Sequence, residues 1–211
     1  MFIISLFDYY SKFFKDFMKI ELIDNKEFTE IWVEGELLKE VHRLLYRNHL
    51  KEILRTSEKK DLSALLLRLD VKIARGFVYK LLALKGYMKA ELVAKLKRRK
   101  IDPRAIEEIL QECEKLGYLN DQREGALFVH REKRKGWGPH RIALKLKSKA
   151  PELTELANSS SEEQLEMIET WIQKKLRGQN FEDLKVKQRL YRFLKNKGFE
   201  EELIRQSLFQ D

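Results

Sequence analysis

The sequence predicts a mainly α-helical protein made of three tandem three-helix repeats, similar to helix-turn-helix units, in an elongated array. Apolar residues recur at helical spacing from residue 72 onward, and the pattern repeats about every 50 residues. Charged residues make up 36% of the chain, against about 25% in ordinary globular domains, which indicates much surface for the volume. The predicted divisions are an N-terminal extension at 1–71 and repeats at 72–118, 119–160 and 161–211.

The extension opens with an aromatic-rich segment, residues 1–18. No basic residue precedes its apolar part, Asp8 interrupts it, and no small-residue cleavage site follows, so a secretory signal is not expected. We interpret the segment as an amphipathic or packing element. Peripheral membrane contact is the weaker alternative, because only Lys12, Lys15 and Lys19 supply positive charge.

A β-hairpin follows this segment. Ile20–Ile23 and Phe28–Val33 alternate in the manner of strands, and Asp24-Asn25-Lys26 between them is typical of a turn. From Gly35 onward the apolar spacing changes to that of a helix, and the sequence therefore predicts helix there.

Repeat 1 is predicted to hold three helices. The first ends near Gly86, a glycine suited to a helix C-terminus, and the third begins at Asp102-Pro103, an N-cap followed by proline. The apolar stripe of the first helix is Ile73, Phe77, Leu81 and Leu84, that of the second is Leu92, Val93 and Leu96, and that of the third is Ile106, Ile109 and Leu110.

Cys113, the single cysteine, is expected to be a buried thiol. No internal disulfide is possible, which favours a reducing, cytoplasmic compartment.

Later segments repeat this unit with variations. Lys85-Gly86-Tyr87 is matched by Lys135-Gly136-Trp137 in the second copy. The third helix of that copy is reduced to Pro151–Leu156, and the third copy carries extra residues around 178–184. Because such units bury their apolar faces against each other, tandem copies predict an extended binding surface rather than a closed catalytic pocket.

The formal net charge of +9, from 43 Lys and Arg against 34 Asp and Glu, favours a polyanionic partner: nucleic acid, an anionic membrane or an acidic protein face. Positive charge concentrates on and around the second helix of each repeat, and stacked repeats would align it into a stripe. For any single lysine, a solvated helix face is the simpler interpretation; for the set we favour phosphate contact. The candidate partner-binding or nucleic-acid-binding residues are Lys95, Lys97, Arg98, Arg99, Lys133, Arg134, Lys135, Arg141, Lys145, Lys147, Lys187, Arg189, Arg192 and Lys195.

The loop at 135–139 has two interpretations. Its glycines and the following helix N-terminus are suited to anion binding, but a tight helix–helix turn is favoured. Tyr87 and Trp137 occupy equivalent turns, where they either stack on bases or, as is more common, pack the hinge.

No catalytic pattern is present in the sequence. It holds neither a phosphate-binding loop nor a dinucleotide fingerprint, and its four histidines lack metal-ligand spacing. We predict no enzyme activity, no cofactor and no metal.

The order and spacing of these motifs resemble the RecX regulatory protein family. The residues that carry the resemblance are Leu116-Gly-Tyr-Leu-Asn-Asp121, Gly136-x-Gly-Pro-x-Arg-Ile142 and Leu194-Lys-Asn-Lys-Gly-Phe-Glu-Glu-Glu-Leu-Ile204. The resemblance covers about residue 72 to the C-terminus, and the hairpin resembles the N-terminal extension of longer members.

This resemblance implies a monomeric cytoplasmic protein that binds the RecA filament on single-stranded DNA and modulates, usually inhibits, its ATPase, strand exchange and coprotease activities. That places it in DNA repair, recombination and the SOS response, with weak, nonspecific binding to DNA alone. Two alternatives stay open. One is a sequence-tolerant DNA- or RNA-binding repeat protein independent of RecA; the weaker one is a membrane-associated scaffold that uses residues 1–18.

Overall fold

The computed structural model describes residues 18–209, so the expectation for the aromatic segment falls almost wholly outside the described residues. The predicted class is confirmed: the chain is mainly helical, with a small antiparallel sheet near its N-terminus. The chain forms two compact units. The first comprises the described residues up to Lys85 together with Leu92–Leu116, and the second comprises Gly86–Glu91 together with Gly117 onward.

The sheet has three strands in the order β1 (Ile20–Asn25), β2 (Phe28–Val33) and β3 (Glu36–His42). The predicted hairpin is confirmed, since Ile20 pairs with Val33 and Asn25 pairs with Phe28. The expectation of helix from Gly35 is wrong, because residues 36–42 pair with β2.

The error at β3 has a local cause. The apolar residues between 37 and 45 recur at spacings that a helix also satisfies. However, Glu34 and Gly35 both have positive φ, 51° and 81°. This backbone geometry reverses the chain tightly and returns it along β2, burying Val41 with Ile31.

Five helices follow the sheet: α1 (Arg43–Tyr46), α2 (Leu50–Leu54), α3 (Lys59–Leu82), α4 (Lys89–Lys97) and α5 (Pro103–Lys115). All of them belong to the first unit except the first three residues of α4, which belong to the second. Because α3 begins at Lys59, the predicted boundary at residue 72 falls inside a helix. The Asp102 side chain caps α5 by accepting the N–H of Arg104 at 2.8 Å, and Pro103 follows it as predicted. Cys113 is fully buried, and this burial raises the pKa of its thiol.

A buried carboxylate joins the elements of this unit. Asp70 of α3 is fully buried and accepts hydrogen bonds from the Lys39 ammonium and the Tyr46 hydroxyl. It also accepts the backbone N–H of Asp102 at 3.1 Å. We call these four groups the Asp70 network; it ties β3, α1 and the start of α5 to the middle of α3.

The residues predicted as repeats 2 and 3 lie in the second unit. Those of the predicted repeat 2 form α6 (Asp121–Arg134), α7 (Pro139–Lys147) and a 3₁₀ helix (Pro151–Ala157), and those of the predicted repeat 3 form α8 (Ser161–Leu176), α9 (Leu184–Lys197) and α10 (Glu201–Phe209). The reduced third helix of repeat 2 is therefore a single 3₁₀ segment. One core of this unit is formed by Met88, Val129, Ile142, Leu146, Ala150 and Ala157. The other is formed by Ile168, Ile172, Val186, Leu190, Leu194, Phe199, Leu203, Ile204 and Leu208.

Candidate partner-binding surface

The predicted basic residues of repeat 1 lie on α4 and in the turn after it. Lys97 and Arg98 are exposed. Arg99 is held more firmly, because its guanidinium lies 4.0 Å from the centre of the Phe77 ring. Its Nη1 also donates to the carbonyl of Lys95 at 2.8 Å. Arg99 thus packs against the unit that carries it, whereas Lys97 and Arg98 present their charge to solvent.

Repeat 2 neutralises part of its positive charge internally. Lys133 donates to Glu163 at 2.9 Å, and Lys135 donates to Glu132 at 2.5 Å. The Lys145 ammonium pairs with the same Glu132, whose exposed fraction is only 5%. Burial opposes ionisation of Glu132, but the hydrogen bonds from Lys135 and Lys145 outweigh it and hold the pKa of this carboxyl below its usual range.

Three other basic residues of repeat 2 are left uncompensated. Arg134, Arg141 and Lys147 are exposed, and none of them forms an ion pair with a carboxylate in the part of the chain that the structure describes. The Arg141 guanidinium lies 5.7 Å from the centre of the Trp137 ring. These residues can meet a partner without first breaking an internal salt bridge.

The predicted residues of repeat 3 lie on α9 and are mostly engaged. Lys187 pairs with Glu182 at 3.2 Å, and Lys195 pairs with Glu201 at 2.7 Å. Arg189 donates to the side chain of Gln179, and Arg192 makes a long 3.4 Å bond to the carbonyl of Gln188. All of these contacts except those of Lys187 are made by exposed side chains, so the pairs cost little to exchange for a partner.

The loop at 135–139 is a tight turn between repeats, in agreement with the favoured interpretation. The N–H of Gly138 donates to the carbonyl of Lys197 at 2.9 Å, and the N–H of His140 donates to the carbonyl of Gly198 at 3.0 Å. The first amides of α7 are therefore bound to the backbone of repeat 3 rather than open to an anion. A Cβ on Gly138 would come within 2.4 Å of the Gly198 carbonyl oxygen, so glycine is required there.

This turn brings Trp137 together with Trp171, Phe193 and three lysines that the sequence did not single out. The Trp171 indole donates to the carbonyl of Gly136 at 3.0 Å, and its ring meets Phe193 edge-on with centres 5.2 Å apart. The ammonium of Lys197 lies 4.1 Å from the centre of Trp137 and 4.2 Å from that of Trp171. Lys174 lies 5.1 Å from the Trp171 centre, and Lys175 lies 4.8 Å from the Phe193 centre.

We call this group the tryptophan–lysine cluster: Trp137, Trp171, Phe193, Lys174, Lys175 and Lys197. Burial lowers the pKa of the Lys197 ammonium, and repulsion from Lys145, Lys175 and Lys174 lowers it further. Only the residue types were visible in the sequence. Their convergence depends on two loops packing backbone to backbone, and glycines at 136, 138 and 198 were the one available signal.

The two equivalent turn aromatics have different environments. Tyr87 is only 8% exposed, which agrees with the packing interpretation. Trp137 is partly exposed, but its ring carries cations from Lys145 at 4.2 Å as well as from Lys197.

The predicted residues are divided between the two units. Lys95, Lys97, Arg98 and Arg99 belong to the first, and the rest belong to the second. Alignment of the basic helices into one stripe therefore stays a prediction.

Within residues 18–209, no helix combines the length and apolar character needed to cross a bilayer, and no group of three or more His, Cys, Asp or Glu is placed to hold a metal ion.

Comparison with known proteins identifies the family. Residues 162–208, which are repeat 3, match the model of the third three-helix domain of RecX. The chain is 33% identical over 137 residues to the regulatory protein RecX of Acinetobacter baylyi, and the match covers 64% of this chain and 85% of that protein. The chain belongs to the RecX family. Its match to RecX of Leptothrix cholodnii is also 33% identical and covers 86% of that protein, so the resemblance predicted from the motifs is confirmed.

Solved RecX structures share the fold. One RecX crystal structure aligns with a TM-score of 0.60 at 20% identity over 90% of this chain and 96% of that chain. RecX from Lactobacillus salivarius aligns with a TM-score of 0.59 at 21% identity, over 65% of this chain and 94% of its own. The RecX family is a family of regulatory proteins, not of enzymes.

Proposed function

We propose that this protein regulates the RecA recombinase by binding the RecA filament on single-stranded DNA, and that it inhibits the ATPase, strand exchange and coprotease activities of RecA. The observation that carries the proposal is the match to regulatory RecX proteins along most of their length. The proposal also includes action in the cytoplasm as a monomer. It assigns the chain to the regulation of DNA repair, recombination and the SOS response.

The charge distribution supports a filament partner. A nucleoprotein filament presents DNA phosphate and acidic protein surface, and both attract exposed cations. Lys97, Arg98, Arg134, Arg141 and Lys147 supply such cations on both units without carboxylate partners in the described chain. Contact by two units would let one molecule bridge neighbouring protomers, which would obstruct filament growth and depress ATP turnover.

RecA's hydrolysis of ATP on single-stranded DNA tests the proposal. This RecX protein is titrated well below the RecA concentration, with filament and DNA concentrations fixed. Suppression at substoichiometric ratios is the expected result, because one bound molecule would affect many protomers. Unchanged hydrolysis at every ratio would contradict the proposal and favour the second candidate, a nucleic-acid-binding repeat protein that acts without RecA.

Charge reversal at Arg141 and Lys147 tests the surface. Both side chains are exposed and unpaired within the described chain, so Arg141→Glu with Lys147→Glu is expected to weaken filament binding at least tenfold while the fold persists. Lys145 is unsuitable for this variant, because reversal there would place a second carboxylate against buried Glu132.

A matched control reverses two other exposed lysines, Lys51 and Lys60, which form no ion pair in the described chain. This control carries the same change in net charge. Equal weakening in the two variants would reduce the effect to net charge and would reject the assigned surface.

A further inference from the structure

The tryptophan–lysine cluster is electrostatically incomplete. Lys174, Lys175 and Lys197 form no ion pair with any carboxylate of residues 18–209. The charged groups that lower the pKa of Lys197 are Lys145, Lys175 and Lys174, and of these only Lys145 pairs with a carboxylate, that of Glu132. Repulsion between the ammonium groups of Lys174, Lys175 and Lys197 raises the free energy of the folded protein, and a bound anion would offset that repulsion.

The helix dipole explains why each of these lysines occurs at a helix C-terminus, but it does not explain why the three lie close together. Lys174, Lys175 and Lys197 lie in the last turns of α8 and α9, where the helix dipole favours cations. That effect does not bring the ends of two helices to the same rings. Their convergence comes from the backbone hydrogen bonds between the 136–140 turn and residues 197–198.

The rings limit what kind of ligand fits. Trp137 already carries the ammonium groups of Lys145 and Lys197 within 4.2 Å of its centre, and Trp171 carries those of Lys174 and Lys197. A nucleobase would have to displace these cations in order to stack. The aromatic rings therefore position the ammonium groups through cation–π contacts and are not available to stack on bases.

The cations are suited to phosphate. The cluster presents lysine ammonium groups, which bind phosphate as point charges, and the Arg141 guanidinium that borders it, 5.7 Å from the Trp137 centre, also binds phosphate. The turn is fixed by glycines: a Cβ at Gly198 would come within 2.4 Å of the Arg141 nitrogen. The site is thus preorganised by backbone contacts and does not need to fold around its ligand.

We infer that the tryptophan–lysine cluster is a binding site for the phosphodiester backbone of single-stranded nucleic acid, read by charge alone and without base stacking. The inference deepens the proposed function, since it assigns the DNA-contacting part of the chain to the junction of repeats 2 and 3. Its test uses the whole protein with bare DNA and no RecA, so it does not depend on a filament response.

Salt dependence of DNA binding measures the phosphate contacts. A labelled oligothymidylate is titrated at several salt concentrations with the parent protein and with Lys174→Gln, Lys175→Gln, Lys197→Gln combined. Each lost phosphate contact makes the slope of log K against log salt shallower by about 0.7 for single strands. The triple variant is therefore expected to lose about 2 from that slope.

Two further proteins keep the result interpretable. Lys174→Gln with Lys175→Gln alters exposed side chains only, so it reports on the site even if the change at half-buried Lys197 disturbs folding, and about 1.4 should be lost from the slope. A matched control changes exposed Lys51, Lys60 and Lys185 to Gln. It removes the same charge, and its slope is expected to stay close to that of the parent.

An abasic strand of equal length separates phosphate from base recognition. Binding within threefold of the oligothymidylate is expected. Much weaker abasic binding would overturn the inference in favour of stacking. A triple variant with the parent's slope would overturn it outright, and if that variant also lost its effect on RecA, the cluster would be a protein-binding surface. A slope change without any RecA response would reject the proposed function and leave this inference standing.

Discussion

The Asp70 network of the first unit and the tryptophan–lysine cluster of the second both use a lysine to hold neighbouring elements, but their charge balance is opposite. In the network, Lys39 and Tyr46 donate to one fully buried carboxylate. In the cluster, Lys197 lies between two indole rings and its charged neighbours are lysines. The first arrangement satisfies its charges internally and is structural. The second leaves positive charge for a ligand, as expected of a binding surface.

The largest expected decrease in the free energy of unfolding comes from removing the carboxylate of the Asp70 network. Asp70→Ala leaves Lys39, the Tyr46 hydroxyl and the Asp102 amide without their acceptor, and removing one partner of a buried charged pair costs about 3–5 kcal/mol. Urea unfolding followed by circular dichroism measures the loss. Asp61→Ala, an exposed change on the same helix, is the control and should cost less than about 1 kcal/mol. Similar losses for both variants would show that the network is not the stabilising contact.

A smaller loss of stability is expected from placing a Cβ where the backbone of Gly198 in repeat 3 lies close to that of residue 141 in repeat 2. Gly198 and Gly178 have similar positive φ values, 88° and 79°. A Cβ at Gly198 would meet backbone of residue 141 at 2.4 Å, whereas a Cβ at Gly178 would meet nothing within 4 Å. Gly178→Ala should cost about 1 kcal/mol from backbone strain alone.

Gly198→Ala should cost at least about 2 kcal/mol more than that, because the neighbouring backbone must move apart. The same unfolding measurement compares the two variants. It should also show weaker DNA binding by Gly198→Ala, since the turn that assembles the cluster would be displaced. Equal stability of the two variants would mean that the repeats are not held at this contact.

The smallest effect concerns the buried carboxylate that borders the cluster. Because the pKa of Glu132 is lowered in the folded state, its contribution is present above the unfolded pKa of about 4.3 and is lost as the pH falls through the folded value. Glu132→Gln is expected to cost about 1.5–3 kcal/mol at pH 7, as for a hydrogen bond to a charged group.

The stability gap between Glu132→Gln and the parent should narrow on acidification below the usual glutamate range. Thermal unfolding of both proteins across that range checks the trend. A gap that is constant with pH would show that the charge of Glu132 contributes nothing to folding. Glu163→Gln supplies the control, because Glu163 pairs with Lys133 at a more exposed position and should change stability by less than about 1 kcal/mol.

The sequence by itself determined the helical class and several of the helices. Apolar spacing marks α3, α4 and α5, and Asp102-Pro103 fixes the start of α5, because these signals act through hydrogen bonds and packing within a few residues. Family membership followed from the same local motifs and their order. The chain near Gly35 was predicted wrongly, since its apolar spacing fits a helix while the turn at Glu34-Gly35 commits it to β3.

Only the tertiary structure decided which cations are free and which are engaged. Lys145 and Lys147 lie two positions apart on α7, yet one is paired with buried Glu132 and the other is exposed. The Lys197 ammonium meets Trp137 and Trp171 because separate loops pack backbone to backbone. Contacts between residues distant in sequence depend on how the helices dock, and residue periodicity carries no information about them.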